Sequence, residues 1–237
     1  MHHDSVQFLC GVRAEWAFLR VRLVRTRLGV WLVLLAGTLV WLERTAATPD
    51  VLDTALRAGA LGAAIAVAYL AGGTEDRAAL AVLLLQPTTP RAVAAGRWLA
   101  AAGAAALVVT TTVACSIWGS GALASGLRAA GLGLVAAAAV SGFTLLLAWL
   151  GGNVLVGAFF LYLAIAGEVP ADRVMSLAHP GFGRLAVGVV MVLVPSPWRY
   201  RGLAAGDLGV ALHAALWIGI GVIGASGLAA RRAGIEA

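Results

Sequence analysis

Residues 127–167 read "LRAAGLGLVAAAAVSGFTLLLAWLGGNVLVGAFFLYLAIAG", and Arg128 is the one charged residue among them. A helix needs about 20 apolar residues to cross the hydrocarbon core of a bilayer, so this stretch is long enough for two crossings. Only the sequence "LGGN" at 150–153 separates its two halves. We therefore predict a tight helical hairpin, made of one membrane span at 127–150 and another at 153–167.

The composition of the whole chain agrees with a protein that lies in a membrane. Of its 237 residues, 61% are hydrophobic and 12% are charged, and the mean hydropathy is +0.93. A soluble domain carries about 25% charged residues. The apolar runs are continuous and do not alternate every second residue, as the strands of a membrane barrel do. The predicted fold class is all-α: a polytopic membrane protein with six transmembrane helices.

Four further apolar runs reach the length of a membrane span. We place these spans at 28–47, 51–73, 92–118 and 207–230. Asp53 and Arg57 are four residues apart near the start of the second of them, where an i, i+4 ion pair would neutralise both charges.

Residues 1–27 precede the first span and carry too many charges to cross a bilayer. Within 5–27, apolar side chains recur at steps of three and four residues and therefore share one helical face, namely Phe8, Val12, Trp16, Leu19 and Leu23. We predict an N-terminal amphipathic helix lying in the membrane interface. The start of the chain lacks an apolar core followed by a small-residue cleavage site, so no cleaved signal peptide is predicted.

The segment between the fifth and sixth spans, residues 168–206, mixes charged residues with one apolar run. That run, 185–194, is too short to cross the membrane. A re-entrant or interfacial pair of short helices fits it better, because irregular backbone at membrane depth must be covered by protein.

The distribution of basic residues predicts the orientation of the chain. All 17 are arginine, and six spans would put ten of them on the side of the termini and seven on the other side. Cytoplasmic loops carry the excess of basic residues, so both termini are predicted to be cytoplasmic. The arginines lie mostly at the ends of apolar runs, so contacts with lipid headgroups explain the pI of about 10.6 better than nucleic-acid binding does.

With this orientation, the substantial cytoplasmic loop is 72–97, "GGTEDRAALAVLLLQPTTPRAVAAGR". Thr74 is a candidate N-cap for a short helix that Pro87 would end. Thr89 is a candidate cap for the next helix, with Pro90 at its first position. The result would be a rigid bracket that a cytoplasmic protein can grip, or else an ordinary interfacial loop whose charges mark the membrane boundary.

This loop resembles the one that follows the second span in permease subunits of the ABC-2 type ATP-binding-cassette transporter family. The resemblance is carried by Glu75-Asp76-Arg77, Leu83-Leu84-Leu85, Pro87, Pro90-Arg91 and Gly96-Arg97. The chain departs from the family pattern at Ala78-Ala79, where Gly-Thr is usual. The order of parts along the chain is also similar to that of the family, including the interfacial helix at 1–27, a permease domain over 28–237 and the broken external segment.

The resemblance implies mechanical coupling and no catalysis in this chain. The sequence contains no GxxxxGK[ST] phosphate loop, so ATP and Mg²⁺ would be bound by a separate nucleotide-binding subunit. Two permease chains and two such subunits would form an exporter in the bacterial inner membrane. The implied contacts with the ATPase subunit are Glu75, Asp76, Arg77, Gln86, Pro87, Pro90 and Arg91 in the loop, and Arg13, Glu15 and Arg20 in the N-terminal helix.

Two other interpretations stay open. The haem-exporter-like B subunit of cytochrome c maturation has a similar length and six spans. A non-transport membrane scaffold or channel that recruits a cytoplasmic protein through the same loop belongs to a different class. The substrate is not readable, although smooth uncharged spans suit a lipid-like, peptide or polyketide cargo.

A few polar residues outside the loop are candidates for substrate or partner contacts, namely Asp172, Arg173, His179, Arg199 and His213. The structural alternative is that the arginines position short helices and that His213 is hydrogen-bonded to a neighbouring helix. The motif "GIGVIG" at 219–224 matches GxGxxG, but it lies inside an apolar span and predicts a close helix-packing face that continues to Gly227. No catalytic or metal site is predicted.

Overall fold

The computed structural model describes residues 13, 27–46, 50–71, 89–118, 122–167, 169–177 and 181–232, and the regular structure within these ranges is entirely helical. The helices are α1 (Leu28–Thr45), α2 (Val51–Ala71), α3 (Pro90–Ile117), α4 (Leu123–Ile165), α5 (Ala171–Leu177), α6 (Phe182–Leu193), α7 (Pro197–Tyr200) and α8 (Leu208–Arg232). A 3-10 turn at Arg201–Ala205 separates α7 from α8.

Five of these helices are long and apolar enough to cross a membrane: α1, α2, α3, α4 and α8. Their bounds fall within a few residues of the predicted spans. Large apolar side chains are exposed on their outer faces, and in α8 they recur at steps of four and three, at Leu208, Leu212, Leu216, Ile220 and Ile223. Such a stripe suits contact with lipid.

The long helix α4 is a hairpin. Its backbone breaks at Gly152, where φ is 66° and ψ is −155°, a conformation that essentially only glycine adopts. The rings of Phe143 and Phe159, one on each side of the break, lie 4.8 Å apart edge to face. In a straight helix these residues would be about 24 Å apart, so the chain folds back as predicted. The second arm, 153–165, is about 20 Å long, and the six-span count stays a prediction.

Helix α2 forms the centre of the bundle and packs against α3 and α4. It crosses α4 where Gly59 meets Gly133 backbone to backbone, and a Cβ on Gly59 would overlap the Gly133 carbonyl oxygen. Helix α8 crosses α4 in the same way at Gly221 and Gly142. Small residues at these crossings let the backbones touch, which is how helices gain packing energy in a membrane.

The packing face predicted from "GIGVIG" is confirmed for two of its four glycines. Gly221 lies against Gly142, and a Cβ on Gly224 would come within 3.0 Å of the Leu146 side chain. At Gly219 and Gly227 a Cβ would meet none of the described residues within 4 Å, so their packing role stays a prediction. The motif lies inside helix α8. Its glycines therefore serve helix packing and do not form a phosphate-binding loop.

The segment 168–206 contains the short helices that its sequence predicts. Helix α6 is 12 residues long, or about 18 Å, which is too short to span. Ser196 caps α7 by accepting from the Arg199 amide at 3.4 Å. The re-entrant placement of these helices stays a prediction.

Candidate functional site

The predicted cytoplasmic loop, 72–97, is only partly covered by the described residues. Its first seventeen residues, 72–88, lie outside them, and so do the predicted contacts Glu75, Asp76, Arg77, Gln86 and Pro87. The described part confirms the predicted cap: the Thr89 hydroxyl accepts from the Ala92 amide at 3.2 Å, and Pro90 holds the first helical position. Arg91 follows in the first turn and is exposed.

Both helices that the loop connects are buried close to it. Leu70 and Ala71 end α2 at 4% and 2% exposure, and in α3, after the exposed Arg91, Val93 and Ala94 are 1% and 0% exposed. A short distance further along α3, the Trp98 indole nitrogen donates to the Ala138 carbonyl of α4 at 2.9 Å. The chain therefore leaves α2 at a buried residue and rejoins the core of the bundle within the first turn of α3.

Arg97 has an environment that the sequence did not predict. The sequence assigned Arg91 and Arg97 together to the place where the third span re-enters the membrane. Arg97 is instead 2% exposed inside the bundle, with its guanidinium carbon 5.7 Å from the centre of the Trp149 ring. Trp149 lies one turn before the break at Gly152, so this cation–π contact fixes α3 to the turn of the α4 hairpin.

Of the second predicted contact, the N-terminal helix, only Arg13 belongs to the described residues. It is helical and exposed. Glu15 and Arg20 lie outside the described part of the chain.

Charged side chains gather at the opposite end of the bundle, which we call the charged end and define by Glu43, Arg44, Asp53, Arg128 and Arg201. Asp53 of α2 forms an ion pair with Arg201 of the 3-10 turn, a partner that the i, i+4 spacing to Arg57 did not predict. Glu43 accepts from Ser116, and Arg44 donates to the Cys115 carbonyl at 3.2 Å. Arg128 donates to the Ala204 carbonyl. These contacts join α1 to α3 and join both α2 and α4 to the 3-10 turn.

Two cavities open at the charged end. One, of about 90 Å³, is lined in part by the charged residues Glu43, Asp50, Asp53 and Arg57. The other, of about 310 Å³, has a mostly apolar lining that also includes Asp50 and Arg128. Within the described part of the chain, no group of three or more His, Cys, Asp or Glu residues is arranged to hold a metal ion.

His213 lies in a hydrogen-bonded aromatic cluster. Its Nε2 is 3.0 Å from the Leu193 carbonyl, and its Nδ1 is 3.5 Å from the Tyr200 hydroxyl. Burial raises the pKa of the Tyr200 hydroxyl. The Trp217 indole nitrogen lies 3.1 Å from the same Nε2 of His213. The Trp217 indole donates to the Leu193 carbonyl at 2.7 Å. His213 is thus bound to a neighbouring helix, as the structural interpretation predicted.

The remaining candidates lie in the segment 168–206, where the side chains of Arg173 and Arg199 belong to the described part of the chain. Arg199 donates to the Val192 carbonyl at 2.6 Å and to the Met191 carbonyl at 3.4 Å. Together with His213 it satisfies the last carbonyls of α6, which a helix end leaves without intrahelical partners. Arg173 is exposed in α5, and Asp172 precedes it in the same helix, while His179 lies outside the described residues. The described polar contacts therefore position the short helices.

The ion pair at the charged end yields a first prediction. Replacing Asp53 with asparagine or Arg201 with glutamine should each lower the free energy of unfolding by about 1 kcal/mol, since both side chains are partly exposed. The double variant should lose little more than either single one, because the two changes remove the same interaction. Denaturant unfolding in detergent measures all three. As a control, the losses of free energy of unfolding from Asp53→Asn and from Arg91→Gln, at the other end of the bundle, should add up in the double variant. If the losses from Asp53→Asn and Arg201→Gln also added up, the ion pair would contribute nothing.

Comparisons of this chain with family models, with curated proteins and with solved structures gave no match. The fold and composition indicate a class, the α-helical membrane proteins, with five helices of spanning length among the described residues.

Proposed function

We propose that this chain is the permease subunit of an ATP-driven ABC-2-like exporter, with six spans and both termini in the cytoplasm of a bacterium. A separate nucleotide-binding subunit would hold ATP and Mg²⁺ and would grip the loop between α2 and α3. The observation that carries the proposal is that both helices joined by this loop are buried next to it: α2 is buried up to its last residue, Ala71, and α3 is buried at Ala92 and Val93, directly after its more exposed first residues.

Burial at these two points decides how a force on the loop is transmitted. Protein interiors are close-packed, so a displaced helix end moves its neighbours with it. Gly62 of α2 lies close to Ala105 of α3, where a Cβ on the glycine would come within 3.3 Å of the Ala105 Cα. The two helices are thus in contact well beyond the loop. Closure of two ATPase subunits would then shift α2 and α3 as a unit.

The surface offered to the ATPase subunit would be the loop itself together with the exposed start of α3. Arg91 is exposed in the first turn of that helix, and Pro90 fixes the direction in which the helix starts. Glu75, Asp76, Arg77, Gln86 and Pro87 would supply the rest of the contact, and Arg13, Glu15 and Arg20 of the N-terminal helix a second one. A second permease chain would complete the transport path.

Affinity purification in mild detergent tests this function. The tagged chain, purified from its native membranes, should bring down an ATPase of nucleotide-binding-domain size at equal stoichiometry. Charge reversal by Asp76→Arg or Arg91→Glu should lower the amount of co-purified ATPase at least tenfold, because like charges would then face each other across the contact. The matched control is Arg173→Glu, a reversal of another exposed arginine in the external segment, and it should leave the complex intact.

Full ATPase recovery and unchanged ATP hydrolysis in both loop variants would overturn the assigned contact. The orientation of the loop is tested separately with Gln86→Cys. The introduced cysteine should react with a membrane-impermeant maleimide only after the cell is opened. Labelling of intact cells at this position would place the loop outside, where no ATPase could reach it.

A further inference from the structure

An apolar groove runs along the outer face of α1, between α1 and α3. It has a volume of about 430 Å³, which is within the usual range of ligand pockets, about 300–1,000 Å³. Its α1 wall extends from Gly29 to Val40, and its α3 wall includes Val108, Thr111 and Cys115. From Gly29 to Val40 the groove is about 16 Å long, which is roughly the depth of one leaflet of the hydrocarbon core.

Missing side chains create this groove. Gly29 and Gly37 both line it, and a Cβ on Gly37 would meet none of the described atoms within 4 Å. Apart from Thr111 and Cys115, the lining residues are apolar. The groove therefore offers dispersion contacts along its length and few hydrogen-bonding groups.

One mouth of the groove carries a cation. Arg44 follows Val40 by one helical turn and so continues the same face of α1, and its guanidinium donates to the carbonyl of the groove residue Cys115 at 3.2 Å. That bond holds the guanidinium at the groove mouth. A guanidinium has five N–H donors in a planar fork that fits phosphate oxygens, and among the described residues Arg44 donates to this carbonyl alone. The acidic neighbour Glu43 is buried and bound to Ser116, and it does not line the groove.

We propose that this groove binds one anionic phospholipid of the surrounding membrane, with an acyl chain between α1 and α3 and its phosphate on Arg44. Three features of the groove point to this occupant: its apolar lining, its length of one leaflet, and a single cation at the level where the headgroup begins. An apolar helix of a second copy would fill the groove but would bring no anion to Arg44. The proposal does not depend on the transport function.

The test is native mass spectrometry of the full chain released from nanodiscs that contain phosphatidylcholine and phosphatidylglycerol in equal amounts. The wild-type chain should retain one phosphatidylglycerol. Gly37→Leu fills the groove and should reduce the retained lipid at least fivefold, without loss of thermal stability because its side chain enters open space. The matched control is Gly131→Leu, a glycine of α4 that is equally exposed, has open space at its Cβ and lies outside the groove; it should retain the lipid.

Arg44→Gln distinguishes the contribution of the headgroup to lipid binding from that of the acyl chain. This variant should still retain a phospholipid, but its preference for phosphatidylglycerol over phosphatidylcholine should disappear. If Gly37→Leu does not fold, Thr111→Leu fills the groove from the exposed side of α3. Equal lipid retention by wild-type and filled-groove chains would overturn the proposal. So would a lipid-free wild-type dimer that the filled-groove variant converts to monomer, because a second copy would then occupy the groove.

Discussion

Replacing Gly221 with leucine should abolish the recovery of folded protein. The Gly221 position lies against the Cα, carbonyl carbon and oxygen of Gly142, all of them backbone atoms that cannot rotate away. Overpacking that flexible side chains can absorb costs about 1–3 kcal/mol. Here α8 must separate from α4 along its length, so we expect a loss of more than 3 kcal/mol, a large part of the about 5–15 kcal/mol that stabilises a native protein. Fluorescence-detected size exclusion in mild detergent should show aggregate in place of a single peak.

Gly219→Leu is the control in the same helix. It makes the same substitution two residues earlier, where a Cβ meets open space among the described residues. Its free energy of unfolding should stay within about 0.5 kcal/mol of the wild type. If both variants gave the same elution profile, whether folded or aggregated, the α4–α8 crossing described above would be wrong.

The second large effect is expected at Arg97. Changing it to alanine removes a buried side chain, which costs about 2–5 kcal/mol for large residues, and removes a desolvated cation–π contact worth about 2 kcal/mol. We expect the free energy of unfolding to fall by at least 3 kcal/mol. Arg91→Ala, the same change in the exposed first turn of α3, should alter it by less than 0.5 kcal/mol. Thermal unfolding followed by Trp fluorescence measures both.

A third variant separates volume from charge. Arg97→Met keeps most of the side-chain volume and removes the cation, so its stability should fall between those of the wild type and Arg97→Ala. A stability equal to that of Arg97→Ala would assign the whole effect to the guanidinium. Wild-type stability in both Arg97→Ala and Arg97→Met would show that Arg97 is not packed against Trp149.

The parts of the fold that were predictable from the sequence depend on local rules. The hairpin in α4 follows from two adjacent glycines in a long apolar run, and the start of α3 follows from Thr89 and Pro90. The segment 168–206 could be assigned to short helices because its apolar run is shorter than a span. Each of these signals lies within a few residues of the structure that it specifies.

The parts that were missed depend on which helices become neighbours. Nothing near Asp53 in the sequence indicates Arg201, since the two meet only after the bundle is assembled. Arg97 looked like a boundary marker because Arg91 precedes it and charges usually end spans. Its burial depends on the Trp149 ring, which the hairpin brings to it from another helix. The groove is a gap between α1 and α3, so no residue pattern within one helix predicts it.

Polar contacts at the charged end connect the helices of the bundle to one another. Arg44, Asp53 and Arg128 each bridge from one helix to another segment there, so helix movement at that end is restrained. Helix α3 is 28 residues long, about 42 Å. A tilt of one degree about the restrained end therefore moves its far end by about 0.7 Å. A tilt of about five degrees would displace the start of the helix at Pro90 by about 4 Å.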